Sequence, residues 1–300
     1  MKTLLLAVLY PEVEKYFHEF SSSINKQDYK EFDVLIIDDH AAFNYESISR
    51  IKDVVRIENN LAPASIRELG IQYARKNNYE YLIFADTDDN FSGNRVRLSV
   101  EYLNNTDFVF NEIDIIDGDG QTIESNFLRN LEVHPEYSNV SQIYSKNLFG
   151  LSHTAVNVDC LSDINIPQDV LAVDWWIYSI LLINQYRGVF LEDAKTYYRQ
   201  TNDNIVGRPR TLTVERLHKG IDVKKKHYHY LKEYCESQNY DTLSRTYEEY
   251  MKKIVNLRAK LKNKSFQSNY IQTINNNFAS IYNGWWSEII TIDEWRKYAS

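Results

Sequence analysis

Three carboxylates, Asp86, Asp88 and Asp89, follow directly on the apolar run Tyr81-Leu82-Ile83-Phe84-Ala85. A continuous apolar run of this length fits an inner parallel strand, and open α/β sheets hold their ligands at the carboxyl ends of such strands. Clustered carboxylates repel unless something positive lies between them. Their hard oxygens suit Mn²⁺ or Mg²⁺, with the phosphates of a substrate completing the shell. The chemistry on offer is therefore a metal-bound diphosphate, and the bland reading of the same residues is a solvated, helix-capping loop. A second acid pair, Asp38-Asp39, ends the run Phe32–Ile37, and Asp174 stands before Trp175-Trp176 in a strongly apolar stretch.

These residues need a scaffold, and its pattern is legible. Leu4–Leu9 reads as a strand, after which Val13, Phe17, Phe20 and Ile24 recur at helical spacing. Phe32–Ile37 and Val54–Ile57 read as further strands. Ile66, Leu69, Tyr73 and Ala74 share one helix face, with Pro63 near the first turn. This β-α-β-α order predicts a doubly wound, mostly parallel sheet with right-handed crossovers. Beyond residue 100, Asp107–Ile113 reads as a strand, and Asp117-Gly118-Asp119-Gly120 as turn chemistry leading to a returning strand. That turn lacks the downstream Glu of a calcium loop. Ser152–Val158 and Gly188–Leu191 are further strand candidates, and Asp174–Tyr186 is a helix. From Thr211 onward the chain is rich in Lys, Tyr and Asn with helical periodicity. No fixed-period repeat and no glycine-rich phosphate loop follows any strand, which argues against dinucleotide cofactors and P-loop ATPases.

Composition sets the outer bounds. With 300 residues, 43% of them hydrophobic, the chain can bury one large domain with an appendage, or two domains. The net charge of −8 argues against general nucleic-acid binding. The balance is uneven: residues 1–210 hold 19 Lys and Arg against 32 Asp and Glu, residues 211–300 hold 15 against 10. Cys160 and Cys235 stand far apart without metal-ligand spacing, consistent with a reduced, cytoplasmic setting. Met1–Tyr10 has no small-residue cleavage site and runs into Glu12, Glu14 and Lys15, so it reads as the first core strand. No later segment approaches the roughly 20 apolar residues of a membrane span, and any membrane contact is expected to be peripheral.

Several segments fall into the order of one family. Val34-Leu35-Ile36-Ile37-Asp38-Asp39, Asn60-Leu61-Ala62-Pro63-Ala64-Ser65-Ile66-Arg67-Glu68-Leu69-Gly70, Ala85-Asp86-Thr87-Asp88-Asp89, Asp174-Trp175-Trp176 and Tyr198–Gly207 occur in sequence. Together they resemble the family 2 glycosyltransferases, inverting enzymes of GT-A fold, and look closest to the rhamnosyltransferase-like members. The resemblance covers roughly residues 3–210. It implies a catalytic domain over 1–210, with a nucleotide-sugar half at about 1–105 and an acceptor half at about 106–210. Residues 211–300 are left as a helical C-terminal extension.

The resemblance also implies roles. Asp39 would accept a hydrogen bond from the pyrimidine, and Arg67 would approach the nucleotide and diphosphate. Asp86 and Asp88 would be the DxD pair, with Asp88 touching the metal directly and Asp86 serving the ribose or a metal-bound water; Asp89 could take either task. Asp174 would be the catalytic base, with the helix dipole favouring its anion and neighbouring indoles opposing it. Trp175 and Trp176 could stack on a sugar face, although a helix this apolar should turn at least one of them into the core. His153 would line the acceptor pocket or serve as a structural histidine. Thr201 stands where the family has a histidine, so it is not expected as a metal ligand; either water completes the shell or Arg199 and Asn204 contact phosphate. The implied activity is metal-dependent sugar transfer from a nucleoside diphosphate sugar to a hydroxyl of a glycan or lipid-linked acceptor. The alternatives are a sugar-1-phosphate nucleotidyltransferase, for which Tyr10-Pro11-Glu12-Val13 is the wrong loop, and a non-catalytic nucleotide-sugar-binding module. The basic, aromatic C-terminal part could rest on an anionic leaflet or form a solvated helical pair.

Overall fold

The computed structural model describes residues 1–41, 48, 50–59, 61–200 and 211–299. By spatial contact the chain forms two compact units, one of residues 1–142, 149–168 and 181–207, the other of residues 143–148, 169–180 and 208–300. This division differs from a single cut at residue 210, because two internal segments group with the C-terminal helices.

The first unit is built on a ten-stranded sheet. Its strands are β1 (Thr3–Leu9), β2 (Phe32–Asp38), β3 (Ile51–Arg56), β4 (Tyr81–Asp86), β5 (Asn90–Phe91), β6 (Phe108–Ile116), β7 (Thr122–Glu124), β8 (Glu136–Tyr137), β9 (Thr154–Asn157) and β10 (Gly188–Arg199). The order is β3-β2-β1-β4-β9-β6-β10-β5, with β7 beside β6 and β8 beside β10. The β1–β4 strands pair in parallel, as do β6 and β10, while β9 runs antiparallel to both its neighbours. The expected mixed, mostly parallel sheet is present.

Helices cover both of its faces. Every residue of β1 is buried, and its side chains alternate between two layers. Leu5, Ala7 and Leu9 join Val13, Phe17, Phe20 and Ile24 in one core, which seats α1 (Phe17–Asn25) and the 3₁₀ turn Pro11–Tyr16 before it. Leu6 faces the other way, against α2 (Pro63–Lys76). A Cβ on Gly70 of α2 would lie 2.2 Å from Leu6 Cδ2, so only glycine lets the helix approach this closely. The five large aliphatic side chains of β1 each contribute about 1.5–3 kcal/mol on burial, as an upper bound. The helices α3 (Arg95–Leu103) and α4 (Phe127–Asn130) also belong to this unit, whereas most of α5 (Val173–Ile183) groups with the second.

The second unit contains α6 (Val214–Ser237), α7 (Asp241–Lys260), α8 (Lys264–Asn276), α9 (Phe278–Ile281) and α10 (Ile292–Trp295). Thr213 and Asn263 cap α6 and α8 by accepting the Arg216 and Phe266 N–H groups, and Thr291 with Glu294 forms a capping box on α10. Leu217, Ile221, Tyr228 and Leu231 make the buried stripe of α6, and Tyr247, Ile254 and Leu257 that of α7. Among the described residues, no helix is long and apolar enough to cross a membrane. Both cysteines are free and buried.

Candidate active site

Three adjacent parallel strands end together. Leu9 of β1 is in register with Asp38, and Val8 with Asp86, so the carboxyl ends of β2 and β4 flank β1 at one strand spacing each, roughly 5 Å. The Asp39 N–H donates to Leu9 O at 2.7 Å on one side. On the other, Thr87 Oγ1 donates to Val8 O at 2.8 Å. The two acids after β2 then part company. Asp38 is 2% exposed and occupied locally, accepting the Ala41 N–H at 2.7 Å with Arg56 Nε 3.6 Å away. Asp39 is partly open, its Oδ1 2.8 Å from His40 Nδ1. Asp39, not Asp38, is therefore the acid available to a ligand at this edge.

The acids after β4 are also differentiated. Residues 86–89 form a turn closed by Asp89 N–H donating to Asp86 O at 3.2 Å. Arg67, from α2, donates through Nη2 to Asp86 Oδ1 at 2.8 Å, with both side chains largely buried. Asp88 is half-buried; burial, then the charge of Asp86, pushes its carboxyl well above the usual carboxylate range. Asp89 is enclosed, and burial, then Asp88, likewise hold its carboxyl well above the usual carboxylate range. Tyr10, just past β1, has its hydroxyl pushed up by burial and by Asp88 and Asp86, which puts it among these acids. The turn is therefore crowded with like charge that Arg67 and Arg199 only partly offset.

Arg199 corrects the expectation of a diphosphate contact. It ends β10 and is 0% exposed. Its Nε donates to Asp88 O at 2.8 Å, Nη1 to Asp117 O and Gly118 O at 3.0 and 3.1 Å, and Nη2 to Glu19 Oε2 at 2.6 Å. The guanidinium also lies over the Tyr16 ring, 4.3 Å from its centroid. Its donors are spent on protein groups, which makes it an internal tie rather than a ligand contact. Thr201, Asn202 and Asn204 lie outside the described residues.

His153 is likewise turned inward. It is 2% exposed, and its Nε2 accepts the Gly150 N–H at 3.3 Å, closing its own 3₁₀ turn. Within the second unit, Trp175 is 0% exposed; its ring stacks on His227 at 3.8 Å and its Nε1 donates to Ile143 O at 3.0 Å. Trp176 is 4% exposed and meets Tyr230 and Tyr234 edge-on. Neither indole offers a face to a sugar: an apolar helix has put both into packing. Asp174 differs. It lies in the first turn of α5, partly exposed, and its Oδ1 accepts the Trp175 N–H at 2.8 Å.

The sequence profile of the family described as "Glycosyl transferase family 2" matches residues 6–157. This chain belongs to that family. The family 2 chain is 29% identical over 131 residues to an uncharacterized glycosyltransferase of Rickettsia bellii, and 31% identical over 114 residues to one of Rickettsia felis. The matches cover 41% and 36% of this chain, but only 18% of either relative. Among solved structures, S. aureus TarS 1–349 in complex with UDP-GlcNAc superposes with a TM-score of 0.56 at 15% identity, covering 100% of this chain and 90% of that one. The complex of the same fragment with UDP gives 0.55 at 16%, covering 93% and 92%. At such identity the likeness concerns the fold, which is that of a GT-A glycosyltransferase domain.

The donor set of this family 2 domain fits a divalent cation of one kind only. Among the described residues, no group of three or more His, Cys, Asp or Glu could hold a metal by itself. The Asp86–Asp89 turn offers hard carboxylate oxygens crowded by like charge, too few to enclose an ion without further ligands. That arrangement suits Mn²⁺ or Mg²⁺ completed by phosphate oxygens and water. Sequence reasoning missed Tyr10 and Ser152, which meet these acids only through the fold, and Glu19, which reaches them only through Arg199. The one local signal was the position of Tyr10 immediately after an all-buried strand.

Proposed function

We propose that the chain is the catalytic domain of a metal-dependent, inverting glycosyltransferase. It moves a sugar from a nucleoside diphosphate sugar to a hydroxyl of a glycan or lipid-linked acceptor. The observation that carries this reading is the meeting of Asp39, the Arg67–Asp86 pair and Asp88 at the carboxyl ends of three neighbouring parallel strands. In this reading Asp39 accepts the imide N–H of a pyrimidine, and Arg67 and Asp86 together orient the ribose and diphosphate. Asp88 and Asp86 hold the cation. When bound, Mn²⁺ or Mg²⁺ supplies charge stabilisation for the departing diphosphate. Asp174 takes the proton from the acceptor hydroxyl, a task for which a partly exposed carboxylate in a helix's first turn is suited.

UDP is the first nucleotide to test, since UDP and UDP-GlcNAc are the ligands of the TarS complexes. The basic C-terminal part adds a partner class. Residues 250–287 contain no Asp or Glu, while Lys253, Lys260 and Lys262 are exposed, a composition that favours an anionic leaflet carrying a lipid-linked acceptor. Flotation with phosphatidylserine vesicles that leaves the protein behind would remove that part of the proposal.

The transferase reading is tested by incubating the protein with a panel of nucleoside diphosphate sugars and Mn²⁺ and measuring nucleotide release. Turnover is expected with at least one donor, and Asp174→Asn should lower it by about 10²- to 10⁴-fold, the usual worth of a general base. Absence of turnover across the panel, or unchanged turnover in Asp88→Ala, would contradict it.

A further inference from the structure

The Asp86–Asp89 turn is held by a chain of buried polar groups that the transfer chemistry does not use. Arg95 Nε donates to Asn111 Oδ1 at 2.9 Å, Asn111 Nδ2 to Thr196 Oγ1 at 3.0 Å, and Thr196 Oγ1 to Ser152 O at 3.2 Å. Ser152 Oγ donates to Asp89 Oδ2 and accepts the Asp86 N–H at 3.4 Å. The other Asp89 oxygen accepts the Arg199 N–H at 2.7 Å, and Arg199 Nε returns to Asp88 O at 2.8 Å. Each of these six side chains is at most 2% exposed.

We infer that Ser152, Asp89 and Arg199 are positioning residues for the metal-diphosphate site: they fix both ends of the turn and so set the direction in which the Asp88 carboxylate and the Asp86 carboxylate, the latter paired with Arg67, face the ligand. The Asp86 N–H, the Thr87 hydroxyl, the Asp88 carbonyl and both Asp89 oxygens are all taken by three residues outside the turn, Ser152, Val8 and Arg199. A turn of four residues with these groups tied has little freedom left in the direction of its remaining carboxylates. A fixed direction matters most for a cation, whose geometry tolerates little displacement of a ligand. The third acid of the motif is thus a strut, and Arg199 acts on Asp88 through its backbone.

This inference rests on the reading of Asp88 as a metal contact, and the test separates the two. UDP binding is measured by calorimetry in EDTA and in Mn²⁺ for wild type, Ser152→Ala, Ser152→Thr, Arg199→Lys and Asp88→Asn. In wild type, Mn²⁺ tightens UDP binding, and Asp88→Asn abolishes that gain. Ser152→Ala is expected to leave the affinity in EDTA within twofold while cutting the Mn²⁺-dependent gain at least tenfold; Ser152→Thr, which keeps the hydroxyl, restores it to within threefold. Should Arg199→Lys fail to fold, Ser152→Ala decides the matter alone. If Ser152→Ala keeps the full gain, or loses affinity equally with and without Mn²⁺, the positioning role is overturned while the metal reading stands. If wild type shows no gain, or Asp88→Asn retains it, both are overturned.

Discussion

Lys224 provides a perturbation whose size follows from its surroundings. Its ammonium is buried in the second unit and donates to Ser145 O at 2.8 Å and Ile289 O at 2.7 Å, both neutral carbonyls. Burial pushes its pKa from 10.5 down to about 8, with Glu288 and Glu294 opposing the shift. A folded pKa below the unfolded one means that the charged lysine costs stability. That cost is complete below the folded value and is relieved as pH rises from about 8 toward 10.5. The full gap corresponds to about 3 kcal/mol, of which about 2 kcal/mol is recovered between roughly pH 7 and pH 9.5. The thiols of Cys160 and Cys235, pushed up to about 12 by burial, act in the opposite direction over the same range, because unfolded thiols ionise first. Lys224→Met removes the lysine and keeps both thiols, so the difference between wild type and variant isolates it.

The assay is urea unfolding of both proteins at neutral and alkaline pH, followed by tryptophan fluorescence. All five tryptophans belong to the second unit, so the signal reports the unit that holds Lys224. Wild type should gain about 2 kcal/mol relative to Lys224→Met on going from roughly pH 7 to pH 9.5. Equal differences at the two pH values would refute the buried-ammonium account.

Other expectations follow from single contacts. Arg67→Ala removes the charge-assisted donor to Asp86; if Arg67 serves the diphosphate as proposed, UDP binding should weaken by about 10- to 100-fold, read by calorimetry; a change within twofold would dissociate Arg67 from the nucleotide. His227 is buried on Trp175 with its pKa well below 6.5, owing to burial and then Lys224. Its unfolded form takes up a proton first as pH falls through 6.5, so wild type should lose stability toward pH 5 and His227→Phe should lose less, measured by denaturant unfolding. Gly188→Ala would put a Cβ 2.1 Å from Cε2 of the buried Phe108 ring. It should lower stability by about 1–3 kcal/mol, visible as a fall in melting temperature.

The elements that build the donor side were readable because their signals are local. A strand buried on both faces writes a continuous apolar run, as β1, β2 and β4 do, and the acids that follow such runs are at the carboxyl edge by construction. What could not be read depends on distant partners. Glu19 and Arg199 pair across 180 positions. The short β5 and β8 exist only because β10 offers them hydrogen bonds. β10 itself runs to Arg199, past a register shift between Leu191 and Lys195 that disguised its second half. The division of labour among Asp86, Asp88 and Asp89 is of the same kind. Three carboxylates in one motif look alike until Arg67, Arg199 and Ser152 claim particular oxygens. Trp175 and Trp176 looked like a sugar platform by residue type, but packing against His227 and the tyrosines of α6 had the stronger claim on them.

Binding of a divalent cation together with a nucleoside diphosphate at the Asp86–Asp89 turn is the step on which the proposed transfer rests. Electron paramagnetic resonance of free Mn²⁺ during titration with protein, with and without UDP, tests it most directly. Wild type should deplete the free-ion signal strongly only when UDP is present, and Asp88→Asn should not. Equal depletion by the two proteins, or none by wild type with UDP at saturating concentration, would contradict it.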